Sequence, residues 1–347
     1  MLLDRVAAHA DMAGRLVATS GDPDELGVFE RVVSDHLALG AVPEDVVSWP
    51  DLDATAVAAV ADGFDTVFHK QLVPGADGVL VQAYDSGPRD GPGEDRSPNT
   101  SSTATVLVPA CGMPAALTES WMRRLAAGRR VVSWESRGLF GPLAEAGAVD
   151  TESQADDLFA VMDAFGLERA DVVGLCGGAV IALAAAAAGP DRVASLSLWH
   201  GAYTFAGGGP RTRHQHDLME LMEIAALGRP AARSVQSAFG RLALTGIPPS
   251  IAHFALYPFA NPELFYRYCR LNGRLARTDA LAYLPRVSQR TLVVTSEDDH
   301  TAHSDGSRRI ATELPRARLL IRRHGDHATL FQAHDDLVGV ATDFMAG

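Results

Sequence analysis

Residues 172–178 read Val-Val-Gly-Leu-Cys-Gly-Gly, which sets a thiol between glycines. An apolar run ends at Leu175, and Ala179 to Ala188 is almost entirely helix former. The expected frame is a strand, a sharp turn and a helix, with Cys176 raised on the turn as a nucleophile in a position usually held by serine. Gly174 and Gly178 lack the Cβ atoms that would hold strand and helix apart around a strained residue. A thiolate is the stronger nucleophile, and its pKa falls beside a helix N-terminus and a histidine. The plainer reading of Cys176 is a small core cysteine.

An activated thiol needs a base, and the base needs an orienting group. Acids at Asp298 and Asp299 follow the apolar run Thr291 to Thr295, and His324 and His327 follow Ala317 to Ile321. In a parallel sheet these strand ends share one edge with Cys176, so residues far apart in sequence can meet there. The chain order is nucleophile, acid, histidine. Residue spacing alone leaves open which acid and which histidine serve. His300 and His303 have a spacing that hints at a metal, but no third ligand accompanies them, so neither a metal nor another cofactor is expected.

The elements that must position these groups follow from the rest of the chain. Its 347 residues fit one large α/β unit with insertions, and a 47% hydrophobic content suffices for its core. A net charge of −13 argues against nucleic acid and anionic membrane as partners. The cysteines, Cys111, Cys176 and Cys269, do not form a secreted disulfide framework. With no leader-like N-terminus and no long apolar run, the chain reads as cytoplasmic. Residues 1–64 read as a helical extension suited to packing or to a homodimer interface. Strands Val67 to Val73 and Gly78 to Tyr84 form a hairpin, and Ser86 to Thr103 is a surface loop. From Thr105 strands and helices alternate, which implies a mostly parallel, doubly wound sheet. Residues 65–202 and 285–347 make the core. The helical stretch 203–284 interrupts it at the strands' carboxyl ends, where a substrate-covering cap would sit.

From about Thr105 onward the chain resembles the α/β-hydrolase superfamily. The resemblance rests on Pro109-Ala-Cys-Gly-Met-Pro, Trp134-Glu-Ser-Arg-Gly, Gly174-Leu-Cys-Gly-Gly, Gly189-Pro-Asp-Arg-Val, Ser296-Glu-Asp-Asp and Gly325-Asp-His, in that order. It implies an α/β-hydrolase fold and selects Asp299 and His327 as partners of Cys176. It also implies an oxyanion hole formed by the backbone N–H groups of Gly177 and Met113. The chain departs from the pattern at Cys111-Gly112, where the family usually has His-Gly. Because the donors are backbone groups, the hole does not depend on that side chain. Strand adjacency in the fold would bring Cys111 near Cys176. Arg137, Trp134 and Cys111 are candidate substrate contacts, the alternatives being an ion pair of Arg137 with Glu135 and a core position for Trp134.

Three stretches, Gly174-Leu-Cys-Gly-Gly-Ala, Trp134-Glu-Ser-Arg-Gly-Leu-Phe and Glu297-Asp-Asp-His-Thr-Ala-His, resemble the hydrolase-fold enzymes of tetronate polyketide pathways. Those enzymes eliminate acetate from an acetylated hydroxymethyl tetronate to give an exocyclic methylene. The resemblance implies a lyase in which a ring proton is removed near Cys176, His327 carries it and Asp299 orients His327. Transient acetylation of Cys176 is the other route. Two further readings stand beside this one. The first is a thioesterase, esterase or acyltransferase working through a Cys176 acyl-enzyme on a small-molecule or carrier-bound acyl substrate. The second is a non-catalytic ligand-binding protein on the same fold, against which the complete Cys-Asp-His set argues.

Overall fold

The computed structural model describes residues 67–87, 103–139, 147–235 and 262–347. The expected extension 1–64, most of the 86–103 loop and the middle of the expected cap lie outside the described residues.

Eight strands form one sheet in the spatial order β1-β2-β4-β3-β5-β6-β7-β8. They are β1 (His69–Pro74), β2 (Leu80–Asp85), β3 (Thr105–Val108), β4 (Val131–Trp134), β5 (Ala170–Leu175), β6 (Val193–Trp199), β7 (Arg290–Ser296) and β8 (Ala317–Arg322). The β1–β2 hairpin joins the sheet antiparallel, and β3 through β8 run parallel. The parallel central strands β3, β4 and β5 are buried along their whole length, which explains their near-continuous apolar sequences.

The helices are α1 (Glu119–Ala126), α2 (Thr151–Ala164), α3 (Gly178–Ala188), α4 (Arg213–Ala225), α5 (Pro262–Leu275), α6 (Ser304–Glu313), α7 (His327–Gln332) and α8 (Asp335–Ala346). One face of the sheet packs against α2, α3 and α6, and the other against α1, α7 and α8. The alanine-rich α3 is buried along its first ten residues, because methyl side chains let it lie close to the strands. Between β6 and β7 the chain leaves the sheet, and α4 and α5 pack on each other around Met222, Phe265 and Cys269. A capping box at Thr212 and Gln215 starts α4. Among the described residues no helix is long and apolar enough to cross a membrane.

Candidate active site

Strand β5 delivers Cys176 to the turn before α3 with φ 53°, a left-handed conformation unusual for a side chain with a Cβ. Neighbouring backbone holds it there. Its N–H donates to Trp199 O at 2.9 Å, and its carbonyl accepts from Ala179 N at 3.1 Å and Ala202 N at 3.3 Å. The flanking glycines are sterically required. A Cβ on Gly178 would lie 2.4 Å from Pro109 O and 2.5 Å from Val108 O, and one on Gly174 would lie 2.7 Å from the Ala179 Cα.

The turn after β7 presents Asp299, and α7 begins with His327. The carboxylate is buried, and its Oδ1 accepts backbone N–H groups from Thr301 at 2.8 Å and Ala302 at 3.1 Å. His327 Nδ1 lies 2.8 Å from Oδ2 and 3.0 Å from Oδ1. A carboxylate only accepts, so Nδ1 carries the proton and Nε2 is the nitrogen left for chemistry. Nε2 is buried and, among the described residues, no group meets it in strict hydrogen-bond geometry, yet the Cys176 thiol acts on the ring by charge and as a hydrogen-bond partner. Such a loose contact is common in resting sites and tightens with substrate.

Burial disfavours the charged forms of both partners, but their pairing wins. Asp299 is held well below the usual carboxylate range by the charge of His327 and by hydrogen bonds from His200 and His327. His327 is raised well above an ordinary imidazole by Asp299 and Cys176. The other acid and histidine, Asp298 and His324, meet at 3.3 Å near the surface, with the His324 side chain 80% exposed.

His200, which sequence reasoning passed over, belongs to the same cluster. It directly follows β6 with φ 47°, donates its N–H to Val294 O at 2.8 Å and is almost fully buried. Its Nδ1 lies 2.8 Å from Asp299 Oδ2, and its ring stands nearly perpendicular to that of His327, with centroids 5.6 Å apart. Burial lowers the His200 pKa, with Asp299 opposing, which favours the uncharged ring. The signal was a histidine at the carboxyl end of a strand lying between β5 and β7, readable only once the strand order is known. Ligand atoms of His200, Asp299 and His327 fall within 4.8 Å of one another, but at separations that fit shared protons. His303 caps α6, accepting from Asp305 N.

The loop expected to supply an oxyanion donor is pinned from three sides. Gly112 N donates to Ser136 Oγ at 3.0 Å, Ala115 N to Glu135 Oε2 at 2.8 Å, and Asn272 Nδ2 on α5 to Cys111 O at 2.9 Å. This gives Glu135 and Ser136 of the Trp-Glu-Ser-Arg motif a physical task. The Met113 expectation needs correction in this conformation. Its N–H donates to Ala110 O at 3.0 Å across a tight turn in which Gly112 has φ 71°. Among the described residues, the N–H groups of Gly177 and Cys111 bond no protein acceptor. The two are close, for a Cβ on Gly177 would lie 3.4 Å from Cys111 N.

The three candidate substrate contacts are occupied elsewhere. Cys111 is buried with its Sγ 3.4 Å from Gln154 Oε1, and burial pushes its thiol up to about 12. It is a neighbour of the nucleophile turn that anchors the loop to α2. Trp134 lies in the sheet core. The equally buried Trp199 stands edge-on to Trp121, whose indole N–H donates to Leu330 O at 2.7 Å and so ties α1 to α7. Arg137 is buried and grips Asp157 through Nε at 2.7 Å and through Nη2, with Asp77 at 2.6 Å on Nη1. It pairs with these acids and not with Glu135, and it has no free donor to offer an anion. Burial pushes Asp157 up to about 6 against the pull of Arg137. Arg137→Met is therefore expected to cost about 3 kcal/mol by stranding a buried carboxylate. Urea unfolding would read that loss, with activity per folded molecule unchanged.

No family model matches the chain. Its fold recurs in solved structures of low sequence identity. An esterase from Exiguobacterium antarcticum superposes with a TM-score of 0.62 at 18% identity, over 80% of this chain and 99% of that one. An enol-lactonase from Burkholderia xenovorans LB400 gives 0.60 at 16% identity, over 80% and 100%. An esterase, RhEst1, from Rhodococcus sp. ECU1013 gives 0.61 at 20% identity, over 80% and 98%. The chain has the α/β-hydrolase fold: a mostly parallel eight-stranded sheet flanked by helices on both faces.

Proposed function

We propose that the chain is a cysteine-centred enzyme of natural-product biosynthesis that eliminates acetate from an acetylated hydroxymethyl tetronate, leaving an exocyclic methylene. The observation that carries this reading is a thiol on a strained turn beside an imidazole that a buried carboxylate makes more basic. Similar structures include esterases and an enol-lactonase, and an acetylated tetronate contains both an ester and a lactone.

In this mechanism the Cys176–His327 pair takes the ring proton beside the acetoxymethyl group. The C–H electrons become the exocyclic double bond, and the carbon–oxygen bond to acetate breaks. Acetate leaves with that electron pair, and the proton passes from His327 to solvent. Asp299 holds the imidazolium in place. Backbone N–H groups at Gly177 and in the 110–113 loop stabilise the developing negative charge. Tetronate resemblance and the strengthened base favour elimination over ester hydrolysis.

The products of an O-acetylated hydroxymethyl tetronate incubated in ¹⁸O-water test the proposal. Elimination is expected to give the methylene compound and acetate without ¹⁸O. The free hydroxymethyl compound with ¹⁸O-labelled acetate would overturn elimination and assign ester hydrolysis.

A further inference from the structure

We propose that His200 is a positioning residue. Its imidazole donates Nδ1–H to Asp299 Oδ2, fixes the carboxylate plane and draws off part of the charge that His327 would otherwise feel. This deepens the reading above and rests on His327 and Asp299 acting upon Cys176.

The carboxylate is bound on both oxygens. Thr301 N and Ala302 N hold Oδ1, while His200 and His327 share Oδ2. The backbone donors fix one end of the group. Without His200, the other end has only the catalytic imidazole, which must change its own charge during turnover. A second donor that takes no part in the proton transfer keeps the carboxylate still while His327 gains and loses a proton. The location supports this role. His200 reaches Asp299 from β6, a strand between those bearing the thiol and the acid, and its backbone is itself held by Val294 O. A left-handed φ on a buried histidine is a conformation kept only where surrounding structure imposes it.

The charged and titratable groups acting on this cluster come from several elements. Asp299 and His327 bear directly on His200, and Arg322 at the end of β8 disfavours its protonation. His214 on α4 interacts with His327 and Asp299 from the expected cap, and Asp217 acts in turn on His214. Cys176 acts on His327.

The sign of the effect follows. Removing the His200 donor leaves the Asp299 charge less neutralised, so it stabilises the His327 imidazolium more and His327 titrates at higher pH. His200→Phe keeps a ring and excludes water but removes the donor. His200→Asn restores a short amide donor and tolerates the left-handed backbone. We expect NMR titration of His327 to move up by about one pH unit in His200→Phe and to return towards wild type in His200→Asn. The kcat of His200→Phe should fall about tenfold with KM little changed. The wild-type protein supplies a test that needs no variant to fold: His200 must be neutral at pH 7 with its proton on Nδ1. An Nε2–H tautomer or an imidazolium at His200 would overturn the proposal. So would an unchanged His327 titration in His200→Phe, or no recovery in His200→Asn. Because the titration reads coupling whether or not acetate is released, failure here is distinguishable from failure of the elimination reading.

Discussion

Cys176→Ala is expected to lower turnover by about a thousandfold or more while leaving the fold intact, as removal of an acting nucleophile or base does. Cys176→Gly gives the sharper result, because activity and stability should move in opposite directions. The residue sits at φ 53°, where a Cβ costs about 1–2 kcal/mol and glycine pays nothing. Glycine loses part of that gain to its greater freedom when unfolded, about 0.5–1 kcal/mol. The glycine variant should therefore be inactive yet at least as resistant to heat as the parent. Calorimetry beside a turnover assay reads both. A protein keeps strain at a position when that position does work the relaxed residue cannot do. An active glycine or alanine variant would return Cys176 to the plain core reading.

The second large effect concerns stability. Gly178→Ala places a methyl 2.4 Å from Pro109 O and 2.5 Å from Val108 O. Both are backbone oxygens at the end of β3, a central strand paired on two sides, so neither can move aside alone. Ordinary overpacking costs about 1–3 kcal/mol because side chains can shift. Here β3 and α3 must separate, and we expect a loss above about 4 kcal/mol. Expression and thermal unfolding check this. By contrast, Gly128→Ala meets nothing within 4 Å and should unfold close to the parent temperature.

The parts legible in the sequence were those with local causes. The bounds of β5 and α3 follow from an apolar run, two glycines and an alanine-rich stretch, and the structure has them at Ala170–Leu175 and Gly178–Ala188. Strand–helix alternation gave the parallel sheet. Choosing Asp299 over Asp298 needed a family pattern, because adjacent acids on a turn differ only in which one the turn aims inward. Three features depended on distant partners. Arg137 is claimed by Asp157 and Asp77, which lie 20 and 60 residues away. His200 gains meaning only from the strand order. The Met113 N–H is taken by a turn whose hydrogen bond no residue type announces. The C-terminal helices α7 and α8 are separated where Ala333 takes a left-handed φ of 50°.

Alkylation of the native protein with iodoacetamide, followed by peptide mass mapping and residual activity, tests the central claim that Cys176 works as the reactive thiol. Cys111 and Cys269 are buried, and burial pushes both their thiols up, whereas Cys176 is partly accessible. The predicted result is a single carbamidomethyl group on Cys176, with activity falling in step with its incorporation. Full activity in protein alkylated at Cys176, or labelling of Cys111 and Cys269 with Cys176 untouched, would contradict it.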